Sequence, residues 1–154
     1  MSDTRVPDFS LPATGGKTID SANFRDKTTI LYFYPKDNTP GCTNETRDFA
    51  LLYPQFADAG CEVFGISRDS VASHEKFKAK LDLPFELISD SDEIACKAFD
   101  VIKMKKMYGK EHRGVKRSTF VIDGAGNIVK AWRGVKVAEH AQKVLDYVRD
   151  SNGA

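Results

Sequence analysis

Residues 28–34 read TTILYFY, residues 35–41 read PKDNTPG, and a helical repeat follows directly. The first run is β-branched and aromatic and predicts a buried strand. The second is crowded with turn formers and predicts a loop. In the third, Phe49, Leu52, Tyr53 and Phe56 stand at i, i+3, i+4 and i+7, the spacing of one helix face. Pro54 predicts a kink or break there, and Gly60 marks the end. A strand that passes through a loop into a helix points to an α/β fold, provided the rest of the chain alternates in the same way.

It does. Residues 61–67 (CEVFGIS) predict a second strand and residues 70–82 a polar helix with Val71, His74, Phe77 and Leu81 on one side. Residues 85–89 predict a third strand, and 92–99 a short helix whose first turn is acidic, as the helix dipole favours. Residues 101–116 are basic and predict an excursion in a loop. The runs STFVI and IVKAWR flank the turn DGAGN, a hairpin signal. Residues 138–148 form the last predicted helix, with Ala141, Val144, Leu145 and Val148 on one face. The expected product is an α/β sandwich, a mixed β-sheet flanked by helices on both sides.

With 154 residues, the chain predicts a single domain, 1–154. Its 41% hydrophobic residues are enough for a core that needs no metal or disulfide. The net charge of +1 lacks the basic excess of a nucleic-acid binder. No apolar run approaches the ~20 residues that span a bilayer. Residues 1–10 lack the apolar stretch of a signal peptide, so the expected location is the cytoplasm. No cofactor is implied. Three cysteines, Cys42, Cys61 and Cys96, stand far apart, and His74, His112 and His140 are scattered, so no metal site is expected.

Cys42 is placed unusually. Thr39 suits an N-cap, Pro40 then falls at N1, and Cys42 takes N3. Its sulfur would lie in the first helical turn, near unpaired backbone N–H groups and the positive end of the dipole. A thiolate, the nucleophilic form of cysteine, is stabilised in such a place. Position alone leaves two readings, a reactive thiol or a small residue in a tight turn.

The segment Pro35-Lys36-Asp37-Asn38-Thr39-Pro40-Gly41-Cys42 matches P-x-x-x-T-x-x-C, the peroxiredoxin signature. The longer run FYPKDNTPGCTNETRDF resembles the bacterioferritin comigratory protein (peroxiredoxin Q) subfamily, as do VPDFSLPATGG, GISRDS, LISDSDEIACKAFDV and RSTFVID, in the family order. The resemblance covers nearly the whole chain. It implies a thioredoxin-like fold, a hydroperoxide substrate and Cys42 as the thiolate that becomes a sulfenic acid. By the same resemblance Thr39 faces the sulfur and the peroxide, Pro35 shields the sulfur from water, and Arg117 polarises thiolate and peroxide. Glu45, one turn after Cys42, would orient an arginine. On the residues alone, Thr39 reads equally as a cap and Arg117 as a surface charge.

The resemblance breaks at the second thiol. Many subfamily members carry a resolving cysteine five residues on, where this chain has Arg47; others carry it in the next helix, where this chain has Lys76-Phe77-Lys78. Cys61 opens a predicted core strand and reads as structural. Cys96 is the remaining candidate to resolve Cys42. The favoured expectation is a one-cysteine mechanism with an external reductant, thioredoxin or glutathione with glutaredoxin, acting on a monomer. A thiol–disulfide oxidoreductase would need C-x-x-C, and Glu45 and Thr39 occupy the paired positions. A non-enzymatic holdase is the alternative from another class. The basic run Lys103, Lys105, Lys106, Lys110, Arg113, Lys116 reads as a solvated loop or as a dock for an acidic reductase or glutathione. Trp132 is a possible fluorescent reporter of oxidation.

Overall fold

The computed structural model describes residues 5–24 and 26–152. Part of the signal-peptide reading falls on residues 1–4, outside the described residues. Five strands form the central sheet in the order β5-β4-β3-β8-β9. They are β3 (Thr28–Phe33), β4 (Cys61–Ser67), β5 (Leu87–Ser89), β8 (Ser118–Ile122) and β9 (Ile128–Arg133). β3, β4 and β5 run parallel, whereas β8 pairs antiparallel with β3 and with β9, so the sheet is mixed. The mixed α/β sheet is the one that the pattern predicts, and the arrangement is the thioredoxin-like fold that the resemblance implies.

Alternation along the strands sorts the core into two layers. Ile30, Tyr32, Tyr34, Val63, Leu87 and Val121 bury one face, together with Phe49 and Phe56 of α1 (Pro40–Asp58), Phe77 of α2 (Val71–Leu81) and Val144, Leu145 and Val148 of α4 (His140–Asn152). Leu31, Phe33, Phe64, Ile66, Ile88 and Phe120 bury the other face. That face is covered by α3 (Ile94–Ala98) and the small hairpin of β1 (Ser10–Pro12) and β2 (Thr18–Asp20). Tyr32 is the hinge of the first layer, stacked on Phe49 with ring centroids 4.6 Å apart. An aromatic pair of this kind adds about 1 kcal/mol beyond its burial.

Several boundaries differ from expectation. α1 continues through Pro54 to Asp58 instead of breaking. Proline there forfeits only the bond to the carbonyl four residues back, and the last turn is held by Ala59 N–H to Gln55 O at 3.1 Å. The first turn of α3 contains no acidic residue; Glu93 precedes it in a left-handed conformation with φ 61°. The basic segment is no loop. Ile102–Met107 and Lys110–Val115 pair antiparallel as β6 and β7. Tyr108 and Gly109 turn the chain with φ of 55° and 77°, the positive pair that a two-residue hairpin turn requires. At the hairpin that the sequence did predict, Asp123 Oδ1 accepts from the amides of Ala125 and Asn127 at 3.0 and 2.9 Å, which holds the DGAGN turn. Among the described residues no helix is long and apolar enough to cross a membrane.

Candidate active site

The loop between β3 and α1 ends on Thr39, whose backbone is extended, and Pro40 opens the helix. Cys42 is therefore the third helical residue, and it is 1% exposed. Its neighbour across the sheet is Arg117, which immediately precedes β8. Because Ser118 pairs with Phe33, Arg117 is delivered to the end of β3 where the loop begins. One guanidinium nitrogen, Nη2, lies 3.6 Å from Cys42 Sγ, and the other, Nη1, donates to Glu45 Oε1 at 2.7 Å. Glu45 lies one turn beyond Cys42 on α1, so one planar fork spans both positions. Gly41 makes room for it, since a Cβ there would stand 3.2 Å from Nη2.

The charges are coupled. Burial pushes the Glu45 carboxyl up to about 7, against the opposing pull of Arg117. Burial also works against the Arg117 charge, but Glu45 and Cys42 raise its pKa on balance. Thr39 takes the N-cap position as expected, but its side chain makes no cap hydrogen bond. Its hydroxyl donates to Lys36 O at 2.8 Å, which leaves the oxygen lone pairs as acceptors. Pro35 and Arg117 line one cleft of about 300 Å³ with Lys103, Gly114 and Val115 of the β6–β7 hairpin and Gly134 and Val135.

The loop is tied down from beneath. His74 is fully buried on α2, with Nδ1 2.7 Å from Asp37 Oδ2 and Nε2 2.9 Å from Ile88 O. Tyr34 and Ser73 hydroxyls donate to the same carboxylate at 2.6 and 2.8 Å. Burial alone would raise Asp37, but these bonds and the charge of His74 hold its carboxyl below the usual range. Asp37 N–H donates in turn to Asp69 Oδ2 at 2.9 Å. Asp37, Asp69 and His74 thus stand close enough to suggest a metal-ligand set. Their facing atoms are already engaged by one another and by Ser67, Ser73 and Tyr34. We read the group as a structural network.

A family model for the AhpC/TSA family matches residues 3–131. The chain belongs to this family and is a peroxiredoxin of the bacterioferritin comigratory protein (peroxiredoxin Q) type. It is 51% identical to peroxiredoxin Bcp of Xanthomonas campestris pv. campestris over 138 residues, 90% of this chain and 86% of the relative. Peroxiredoxin Bcp of Bacillus subtilis is 44% identical over 146 residues, 95% of this chain and 93% of that one. The Xanthomonas campestris protein has been solved in trapped intermediate and ligand complexes that concern its alkyl peroxide reduction activity. That structure has a TM-score of 0.90 at 47% identity, covering 94% of this chain and 92% of that chain.

The other two cysteines of this peroxiredoxin lie elsewhere. Cys61 opens β4 at the strand end far from the loop, separated from Cys42 by most of the length of α1, 19 residues or about 28 Å. Burial pushes its thiol up to about 11, slightly relieved by Lys27. Cys96 is fully buried in the layer on the opposite face of the sheet from Cys42. Burial and then the Asp90 carboxylate push its thiol far up. Of the residues that the sequence points to, the structure brings Cys42, Arg117 and Glu45 together and sets Pro35 in the cleft that Arg117 lines, while the Thr39 hydroxyl bonds to Lys36 O. The Asp37–His74 tie was not foreseen. The available signal was His74 on the apolar face of α2, since a buried imidazole needs polar partners.

Proposed function

We propose that this peroxiredoxin reduces hydrogen peroxide and alkyl hydroperoxides through Cys42 and is restored by an external thiol. The observation that carries the reading is the Arg117 fork, one arm on the Cys42 sulfur and the other on Glu45. The thiolate attacks the nearer peroxide oxygen; a sulfur–oxygen bond forms as the O–O bond breaks. The departing alkoxide or hydroxide takes a proton and leaves as alcohol or water, and Cys42 becomes a sulfenic acid. Arg117 offsets the charge that develops on the oxygens. The Thr39 oxygen, its own proton committed to Lys36, accepts from the peroxide O–H and orients the substrate. Pro35 forms the wall that keeps water from the sulfur.

One thiol of the reductant then attacks the sulfenic sulfur, releasing water, and a second displaces the Cys42 thiolate from the mixed disulfide. Thioredoxin, or glutathione with glutaredoxin, has this chemistry. The reading is supported against a Cys42–Cys96 disulfide by their places in different layers of the core. A disulfide needs Cα atoms within about 7 Å. The monomer is the acting unit, since one chain supplies every group of the site. Three unlinked thiols suit a reducing compartment such as the cytoplasm.

One equivalent of hydrogen peroxide added to reduced protein, followed by peptide mass analysis with a sulfenic-acid trap, tests this. The expected product is trapped Cys42 with Cys61 and Cys96 still reduced. A Cys42–Cys96 disulfide would replace the one-cysteine reading with the two-cysteine one, and an unreactive Cys42 would end both.

A further inference from the structure

The β6–β7 hairpin is the part of the molecule that the chemistry at Cys42 leaves unused. Residues 102–116 carry six cations against the single carboxylate of Glu111, in a chain whose net charge is only +1. The rest of the chain is therefore net negative, and the positive charge is gathered in one exposed ribbon. Its pairing register sorts it into two faces. Lys103 stands opposite Gly114, and two positions along β7 from Gly114 comes His112, then Lys110. Lys103 and Gly114 line the cleft shared with Pro35 and Arg117. The face continuous with that cleft thus presents Lys103, Lys110 and His112. The other face holds Glu111 opposite Lys106, and Arg113, which donates to Glu93 Oε1 at 2.6 Å.

We propose that the cleft-side face of this hairpin docks an acidic dithiol protein that reduces oxidised Cys42. The inference rests on the external-thiol reading above and names where and by what chemistry the reductant binds. Charge complementarity selects an acidic partner. Geometry brings that partner beside Arg117, whose Nη2 lies 3.6 Å from the buried sulfur, because the wall it would touch at Lys103 and Gly114 is also a wall of the cleft that Arg117 lines. The ribbon is held in place by Glu93, which joins Arg113 to Arg68. A docking surface fixed in advance loses less entropy on binding. Tyr108, 96% exposed at the tip, adds an aromatic contact of the kind enriched at interfaces. A ribbon face about 20 Å by 10 Å, with the cleft rim, matches the small interfaces of transient redox encounters. The partner's first thiol forms a mixed disulfide with Cys42 as water leaves. Its second thiol closes the partner's own disulfide and frees the Cys42 thiolate.

The test compares Lys110→Glu with Lys106→Glu, the same charge change on opposite faces. Each variant is first oxidised with one equivalent of hydrogen peroxide, and the Cys42 sulfenic acid is verified by mass. Its reduction is then timed with a negatively charged thioredoxin and, separately, with dithiothreitol. The expected result is a roughly tenfold loss of the thioredoxin rate constant in Lys110→Glu, under twofold in Lys106→Glu, and no change with dithiothreitol. Added salt should lower the wild-type thioredoxin rate and erase the difference between variants. Equal losses in both variants, or none in either, overturn the docking face. Failure to form the sulfenic acid in the first stage would instead count against the underlying one-cysteine reading.

Discussion

Cys42 and Cys96 are near-twins by position and opposites by surroundings. Each is the third residue of a helix, each is buried, and each follows a loop that leaves a parallel strand of the same sheet. At Cys42 the nearest charge is the Arg117 guanidinium, and α1 runs for 19 residues behind it. At Cys96 the helix has five residues, and Asp90 Oδ2 already accepts from the Cys96 backbone N–H at 2.8 Å. A carboxylate has taken the anion's place at that helix start, and it works against a second negative charge on the sulfur. A helix N-terminus is therefore not enough to favour a thiolate: at Cys96 burial, and then the facing carboxylate, oppose one, whereas the charge facing Cys42 is positive.

The largest effect that would break this contrast is substitution of either sulfur. Cys42→Ser should lower peroxide consumption at least about 1,000-fold, and Cys96→Ser less than about twofold, measured by stopped-flow with hydrogen peroxide. A large loss in Cys96→Ser would erase the distinction. Next, Arg117→Ala should lower the second-order rate constant by roughly 100-fold, as loss of one charge-stabilising donor does. Arg117→Lys should recover only part, because an ammonium cannot reach both the sulfur and Glu45.

A third effect sharpens the Cys42 side through pH. Glu45 keeps its proton to about 7 in the folded protein, while an unfolded glutamate loses it near 4.5. Between those values the folded state binds more protons, so this group's contribution to stability is full below 4.5 and is lost as pH rises to about 7. His140, lowered to about 4 by burial and by Lys143 and Arg117, acts with the opposite sign in an overlapping window. Glu45→Gln should therefore remove a falling component from the stability curve and leave the rising one, read as denaturant midpoints from pH 4.5 to 7.5. An unchanged curve would show that burial does not govern Glu45. The smallest effect is at Cys96. Asp90→Asn should speed its alkylation by iodoacetamide only a few-fold, because burial remains the larger barrier.

Much of this was legible in the sequence, for identifiable reasons. The alternation of TTILYFY and CEVFGIS with helical faces predicts a mixed α/β sheet, and strands β4, β8 and β9 fall on the expected residues. Loop chemistry places Cys42 at N3 because Thr, Pro and Gly each have a distinct preference there. The β6–β7 hairpin was hidden because its residues are charged rather than β-branched and its turn, Tyr108-Gly109, is not one of the common Asn-Gly or Asp-Gly pairs. β1 and β2, three residues each, are too short for periodicity to register. The Asp37–His74 tie joins residues 37 positions apart, and nothing local encodes it. The layer assignment of Cys96 likewise depends on which side of the sheet α3 crosses, a fact of topology.

Gly41 carries a consequence of its own. It sits at the second position of α1, and a Cβ there would stand only 3.2 Å from the Arg117 guanidinium, itself anchored on Glu45. Alanine is a better helix residue than glycine by up to about 1 kcal/mol, so Gly41→Ala should raise or preserve the melting temperature. The guanidinium would have to give by a few tenths of an ångström, which should loosen its contact with the sulfur and lower turnover. Selection for heat resistance alone would thus favour the substitution that selection for peroxide clearance must reject.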